Sequence, residues 1–505
     1  DKVLHHSLIL LSFAAYLFIA FKGGFLRHDG HAQIAGIAIV ISTFLLAFSF
    51  RSTHTPLLIT LSICTWGYID NNYTKTSTDQ LVSRISSTYI SAWRGAKNRL
   101  IDNDGLKIKF NEELKSLNAQ KNFPVLNGTT DIYSYDQALL IASGNTWNPR
   151  PIFQSYSVYT PELAEINKKH LLSDKAPNNI FFKIEPIDNR LPALEDGASW
   201  PTLLTEYSLT TQSNGYLYLR HKENHLQPNE ETFVRSGTYS FGDFVPVPSG
   251  DSPIFAELTV TSSLIGRLIG ILYKPAQLQI ELQLKNGKTT TYRLISGMAK
   301  SGFIVNPLIE STDEFGLLYG GLNYLNNKSV KSFTISQINS THQWNNTYEV
   351  TFKKIKSNQQ GDISKIFEFN KFTENSLKDN ISLVKRCDGT IDTLNGTSPL
   401  IKSTVNKLIR ARGWLAKSAE NGAVGDSIFL VLRDSTGKFK LISTKKVMRP
   451  DVGAHFKNSA LDSSGFESIA IMEAASGDYT LGLAYTEGDK VMVCTQFNFP
   501  IHVDN

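Results

Sequence analysis

The chain carries only three cysteines in 505 residues. That is too few for a disulfide-dense miniprotein or for a zinc site built from four thiolates. It has no block rich in Lys and Arg, and its net charge is only +5, so no nucleic-acid surface is written into it. Several chemical signatures are missing. There is no phosphate-binding Gly-x4-Gly-Lys, no Gly-x-Ser-x-Gly elbow, no zinc-type His-Glu-x2-His and no glycine-rich dinucleotide loop. Nothing in the residues calls for a metal or a cofactor. Charged residues are 19% and apolar residues 41%, which excludes both a wholly disordered chain and one that lies mostly inside a membrane.

What is present is unevenly spread. Residues 1–70 are greasy, and the remainder reads as soluble. Ser7–Phe21, Ala32–Phe50 and Ser52–Ile69 are three segments free of Asp and Glu, broken by Lys22, Arg27 and Arg51. A spanning helix needs roughly twenty apolar residues. The second segment meets that length, the first meets it with Val3 and Leu4, and the third is the weakest. A succession of apolar segments fits an anchor better than a signal peptide, which has one short apolar stretch. With three spans, the loop Lys22–His31 shares a compartment with the soluble bulk, and Arg51 lies on the cytoplasmic side. With two spans the bulk is cytoplasmic. The chain begins at Asp1 rather than Met, which is compatible with a processed or partial chain.

Cysteine usage favours the extracytoplasmic choice. Cys64 sits in an apolar segment, while Cys387 and Cys494 fall near the two ends of the last domain. Paired, they close a loop of about a hundred residues and constrain the unfolded chain by roughly 4–5 kcal/mol. Such a bond persists in oxidising compartments. Two unrelated buried thiols are the plainer alternative.

Along the soluble part the apolar period changes. Leu81, Ile85, Tyr89 and Trp93 recur every four residues, predicting a helix over 78–100 that packs on its own domain or, failing that, on the membrane surface. An alternating α/β pattern follows, with strands at 131–135 and 179–184, a helix at 137–142, and a helix over 161–172 capped by Thr160 with Pro161 at its first position. These predict an α/β domain with a small parallel sheet at 75–230. Beyond it the period is two. Gln277–Leu284, the turn Lys285-Asn-Gly-Lys288 and Thr289–Leu294 read as a hairpin within a β-sandwich at 235–375. Strand pairs around Asp434–Gly437 and at 479–497 predict an immunoglobulin-like β-sandwich at 383–505. The fold class is therefore multidomain: transmembrane helices, one α/β domain, and two mostly antiparallel β-sandwiches.

Four stretches invite chemistry. Arg27-His28-Asp29-Gly30-His31 sets a cation, two imidazoles and a carboxylate beside the membrane. Arg27 suits a diphosphate lipid head and Asp29 a general base, with His28 and His31 beside it. A polar turn that anchors two helices explains the same residues, and a metal site lacks a further ligand. Trp147 to Thr160 mixes Trp147, Arg150, Gln154, Tyr156 and Tyr159, whose aromatic faces and planar polar groups suit sugar rings. A strand and cap that merely close the domain is the alternative. Ile187 to Pro201 carries Asp188, Arg190, Glu195 and Asp196. Paired carboxylates perform glycosidic chemistry, but an Asp188–Arg190 ion pair and a Glu-Asp-Gly turn are structural readings of the same residues. Arg449-Pro-Asp-Val452 reads as a structural turn.

Taken in order, these phrases carry a resemblance: Arg-His-Asp-Gly-His after an apolar segment, Asp131-Ile-Tyr-Ser-Tyr-Asp-Gln137, Trp-Asn-Pro-Arg-Pro, then Asp-Asn-Arg-Leu-Pro-Ala-Leu-Glu-Asp-Gly. Over nearly its whole length the chain resembles bacterial multispan membrane proteins associated with surface-polysaccharide synthesis. More distantly it is similar to the multispan glycosyltransferases that use lipid-linked sugars. Those enzymes place an acidic catalytic residue in an extracytoplasmic loop, so the resemblance implies that role for Asp29. They have many more spans than three, and fold-level similarity is a weak warrant for activity. The expectation is a protein of the bacterial inner membrane with its bulk in the periplasm. Its partners would be membrane lipid, a lipid-linked glycan and other membrane proteins. It would act either by glycosyl transfer or as a non-catalytic glycan-binding scaffold.

Overall fold

The computed structural model describes residues 2–25, 29–50, 53–76, 78–101, 104–121, 123–213, 215–222, 231–338, 342–356, 363, 372–373, 381–395, 403–405, 408–471 and 476–503. Arg27, His28 and Arg51 lie outside them. Its contacts form two compact units. The first joins residues 1–116 to two short insertions, 261–276 and 338–345, and the second holds the rest.

In the first unit the apolar segments are helices: α1 (Lys2–Gly24), α2 (Ala32–Ser49) and α3 (Thr55–Tyr73). Among the described residues, the stretches Val3–Gly24 and Ala32–Ser49 are long and apolar enough to cross a membrane. Helix α3 carries Asp70 and several hydroxyls, and is not one of them. Small residues set the packing. Ala32, Ala35, Gly36, Ala38 and Ser42 form the buried face of α2. A Cβ on Gly36 would meet the Trp66 ring of α3 at 3.0 Å, and one on Gly24 of α1 would meet the Ala35 backbone at 3.1 Å. Small faces of this kind let helices approach closely where lipid surrounds them. The opposite faces expose Leu8, Leu11 and Ile19 of α1 and Ile37, Ile41 and Phe48 of α2. So continuous an apolar surface is stable in a bilayer, not in water.

Gln33, near the start of α2, bonds to Asp70 and Thr74, near the end of α3. The two helices are therefore antiparallel. The α1–α2 connection lies at the same end of the bundle as the exit toward the remaining chain. Helices α4 (Thr78–Ile101) and α5 (Gly105–Lys121) complete this part of the chain. The expected packing of the α4 stripe is not found. Tyr89 and Trp93 are each 74% exposed and Ile85 is 54% exposed. The four-residue period does mark a helix, and the face it names is exposed.

The second unit opens with that sheet. Its five described strands are β1 (Thr129–Ile132), β2 (Thr146–Trp147), β3 (Asn179–Phe182), β4 (Tyr207–Ser213) and β5 (Tyr216–His221), in the order β2-β1-β3-β5-β4. The parallel pairs are β1–β2 and β1–β3, as the strand–helix–strand pattern requires, and β4 and β5 extend the sheet antiparallel. Helix α6 (Gln137–Ala142) follows β1, and α7 (Pro161–Leu171) precedes β3. Thr160 caps α7 by accepting from the Leu163 amide at 3.4 Å. Helix α8 (Trp200–Glu206) leads into β4. Phe123, Ile132, Leu140 and Phe181 form the core beneath.

Residues 231–356 add two four-stranded sheets. The hairpin forms as its turn dictates: Gln277–Leu284 pairs antiparallel with Thr289–Leu294, and Gly287 takes the positive φ of 87°. Phe315 of this region stacks on Phe182 of β3 at 4.2 Å and meets Trp200 edge-on at 5.0 Å, which joins the β-region to the α/β sheet as one body.

The last region pairs a seven-stranded sheet with a four-stranded one, counted among the described residues. The Cys387–Cys494 disulfide is present, set in a core with Ile391, Leu430, Phe466 and Leu483. Bonds of this kind persist in oxidising compartments, which favours a location outside the cytoplasm. Replacing both cysteines by Ala is expected to lower stability by about 2–5 kcal/mol, read as a lower denaturation midpoint of the purified protein.

Candidate functional site

The first unit contains a groove of about 500 Å³ bounded by α2, α3 and α4. Its walls are Ile37, Val40, Ile41 and Phe44 from α2 with Ile63 and Trp66 from α3, and its polar lining is Gln33, Asp70, Thr76 and Arg84. The polar end is built around one carboxamide. Gln33 Nε2 donates to Asp70 and, at 3.0 Å, to Thr74 Oγ1, while its Oε1 accepts from Trp66 Nε1 at 2.9 Å. Asp70 also accepts from the Thr76 amide at 3.0 Å and the Thr76 hydroxyl at 2.7 Å. Arg84 stands exposed on the lining and has no acidic partner among the described residues. An apolar slot with a hydrogen-bonding end and an exposed cation suits an amphiphile with an anionic head.

At the same end of the bundle lies the connection between α1 and α2. Asp29 Oδ1 accepts from the His31 amide at 2.9 Å and lies 2.5 Å from His31 Nδ1, with both side chains about half-exposed. The pair fixes the turn into α2. The carboxylate beside Nδ1 also orients the ring. Asp29, read from the sequence as the base, and His31 beside it are thus brought together in one pair.

In the second unit, the two motifs at 147–160 and 187–201 meet around two arginines. Arg150 is fully buried over the Tyr133 ring, 3.5 Å from its centroid. Its Nη1 donates to Asp131 at 2.7 Å, and its Nη2 donates to Ser155 at 2.9 Å and to the Phe153 carbonyl at 3.0 Å. Asp196 Oδ2 lies 3.6 Å from Arg150 Nε and accepts from Tyr133 and Asn167, each at 3.2 Å, while Ser199 donates to Oδ1 at 2.9 Å. Burial pushes the Asp196 carboxyl up to about 6, against the pull of Arg150 and these donors. Asp196 adopts a left-handed backbone with φ of 55°, an uncommon state for a non-glycine residue that this network holds in place. Trp147 closes the rim, donating from Nε1 to Asp131 at 3.3 Å. Arg150 and Asp196 therefore bond to the protein's own groups, shut away from solvent.

The second arginine faces a different surface. Arg190 donates to the Tyr156 carbonyl at 2.8 Å and to the Tyr159 hydroxyl at 2.9 Å. Glu195 lies 3.8 Å from its Nη1 and Asp188 3.7 Å from its Nη2, and Arg293 donates to Asp188 at 3.3 Å. Around them Tyr135 and Tyr159 are exposed and Tyr156 is half-buried, the rings of Tyr135 and Tyr156 being 6.2 Å apart. Gln154 is half-buried beside this stretch. Of the residues read as sugar-binding, then, Tyr156 and Asp188 reach solvent over the buried Arg190 and Glu195, while Arg150 and Asp196 are shut in a second network with half-buried Trp147 at its rim.

Burial pushes the Glu195 carboxyl up to about 7. The folded state therefore binds this proton more tightly than the unfolded chain, whose Glu titrates near 4.3. Glu195 favours folding fully below about pH 4, and that contribution is lost as pH rises through about 7. Thermal unfolding between pH 5 and 8 should show the loss, and Glu195→Gln should flatten that part of the profile.

Sequence reasoning missed a third ionic cluster. Lys328 is buried between Glu310 at 2.5 Å and Glu314 at 2.9 Å. Arg410 of the last region reaches Asp313 at 2.9 Å and Ser311 at 3.0 Å. The available signal was Ser311-Thr-Asp-Glu314, a capping box that does form. Compared with known proteins, the chain matches no family model and no curated protein.

Proposed function

We propose that this chain is an inner-membrane protein of bacterial envelope polysaccharide assembly that holds a lipid-linked glycan at the outer face of the membrane. Helices α1 and α2, long and apolar enough to span, would cross the bilayer, α3 would cross beside them with its Asp70 bonded to Gln33 and Thr76, and the α/β and sandwich regions, the last of them immunoglobulin-like, would stand in the periplasm. The carrying observation is the groove of α2, α3 and α4, apolar along its walls and ending in Gln33, Asp70, Thr76 and Arg84. Arg84 suits the phosphate of the carrier, and the Gln33–Asp70 network suits hydroxyl donors. The tyrosines around Arg190 support the sugar half of this reading, since exposed aromatic rings beside planar polar groups suit pyranose faces. Holding is favoured over chemistry because Asp131, Asp196 and Glu195 all lie against arginines.

Native mass spectrometry of the protein extracted from its own membranes tests this reading. A bound phospholipid-sized or larger anionic amphiphile should appear on the wild type and fall at least about tenfold in Arg84→Glu, which replaces an attraction for the phosphate by a repulsion. Equal occupancy in both would refute it. Glycosyl transfer is the second reading, and the exposed Asp29–His31 pair favours it. In that case His31→Ala abolishes surface-glycan production while the protein still accumulates, and normal glycan removes the reading.

A further inference from the structure

The segment 261–276 lies between two strands of the β-region, yet it belongs with the first unit. Its helix, Leu264–Leu272, is opened by Ser263, whose side chain accepts from the Gly266 amide at 3.0 Å and donates to the His342 carbonyl at 2.6 Å. One face of the helix is fixed against residues 342–345. A Cβ on Gly266 would meet the Gln343 carbonyl oxygen at 1.8 Å, so only glycine allows this approach. Trp344 Nε1 donates to the Ala276 carbonyl at 2.9 Å, and the Ala276 amide donates to Gln343 Oε1 at 2.5 Å, closing the segment at its far end. The other face carries Leu264, Ile265, Leu268 and Ile271, each more than half exposed. Their spacing of one, four and seven positions draws a single apolar stripe.

What covers that stripe follows from its neighbour. Lys22, in the last turn of α1, donates to the Gly270 carbonyl at 2.9 Å, and Phe21 meets Tyr273 edge-on at 6.0 Å. Helix α1 has 23 residues, about 34 Å of rise, so these contacts fall at the boundary of the bilayer it would cross. Exposed Arg267 and Lys274 place positive charge beside the stripe, the pattern of a helix lying in an anionic interface. We infer that Leu264–Leu272 is a second, monotopic membrane contact that sinks its Leu and Ile face among lipid acyl chains beside α1. At nine residues it is too short to span, and a rigid hook is what the glycine approach and the Ser263 cap provide.

Spin labels on the full chain test this, with Cys64 replaced by Ser and labels placed singly at Leu268→Cys and Ile271→Cys. The protein is reconstituted in nanodiscs containing phosphatidylglycerol, and label accessibility to oxygen is compared with that to a water-soluble nickel chelate. A label at Ile41→Cys on α2 reports the bilayer, and one at Glu420→Cys reports water. The expected oxygen-to-nickel ratio at both hook positions is several-fold above that at Glu420 and close to that at Ile41. A ratio like that at Glu420 would mean a water-facing stripe, and low accessibility to both reagents would mean a protein cover; either overturns the inference. A low ratio at Ile41 would overturn the anchor itself and the hook with it.

Discussion

Arg150→Met should destabilise the second unit by about 3–5 kcal/mol, the cost typical of removing one partner from a buried ion pair. The size follows from what is left behind. Asp131 and Asp196 are both fully buried, and methionine supplies neither the charge nor the donors that now reach Asp131, Ser155 and the Phe153 carbonyl. Trp147 donates to Asp131 and serves as a local reporter, so the loss is read as a lower midpoint in tryptophan-monitored unfolding. Arg150→Lys keeps a charge but not the planar fork, and should recover only part of the loss. Adding Asp131→Asn and Asp196→Asn to Arg150→Met removes the orphaned charges and should restore stability further. A wild-type midpoint for Arg150→Met would show that the network contributes nothing.

The second large effect belongs to Lys328→Met. Lys328 is the cation between Glu310 and Glu314, and burial alone would lower its pKa, but the two carboxylates outweigh that and raise it. Without it Glu310 keeps the Tyr292 hydroxyl as a donor, Glu314 keeps Arg410 at 3.7 Å, and among the described residues neither has a cation as near as Lys328. A loss of about 3–5 kcal/mol is expected. Because Arg410 comes from the last region and Glu314 from the preceding one, hydrogen exchange should show both opening together. Exchange confined to residues near 328 would contradict a shared cluster.

Local features were legible in the sequence because their causes are local. The Asn286-Gly287 turn fixes its hairpin through one positive φ, and Thr160 with Pro161 fixes the start of α7. The disulfide was legible because only two cysteines lay in soluble sequence. The ionic clusters were not, since Arg150 meets Asp196 across 46 positions and Arg410 meets Asp313 across 97, distances over which no periodicity carries information. The motifs at 147–160 and 187–201 were visible as stretches, but only the fold separates the Arg150 network from the buried Arg190 and the exposed tyrosines beside it. The Leu264–Leu272 helix was passed over because it is too short for a span and lacks a strand's alternation. The period of α4 was visible, but its partner was not, because an apolar stripe states that something must cover it and not what.

The central claim is that a greasy amino-terminal bundle holds the disulfide-bonded body on the far side of the cytoplasmic membrane. A single cysteine introduced at exposed Glu420, with Cys64 replaced by Ser, reports on it most directly when spheroplasts are treated with a membrane-impermeant maleimide. The account requires full labelling in intact spheroplasts, with the labelled chain remaining in the membrane after alkaline carbonate extraction. Labelling only after the membrane is broken, or release of the chain into the carbonate supernatant, would contradict it.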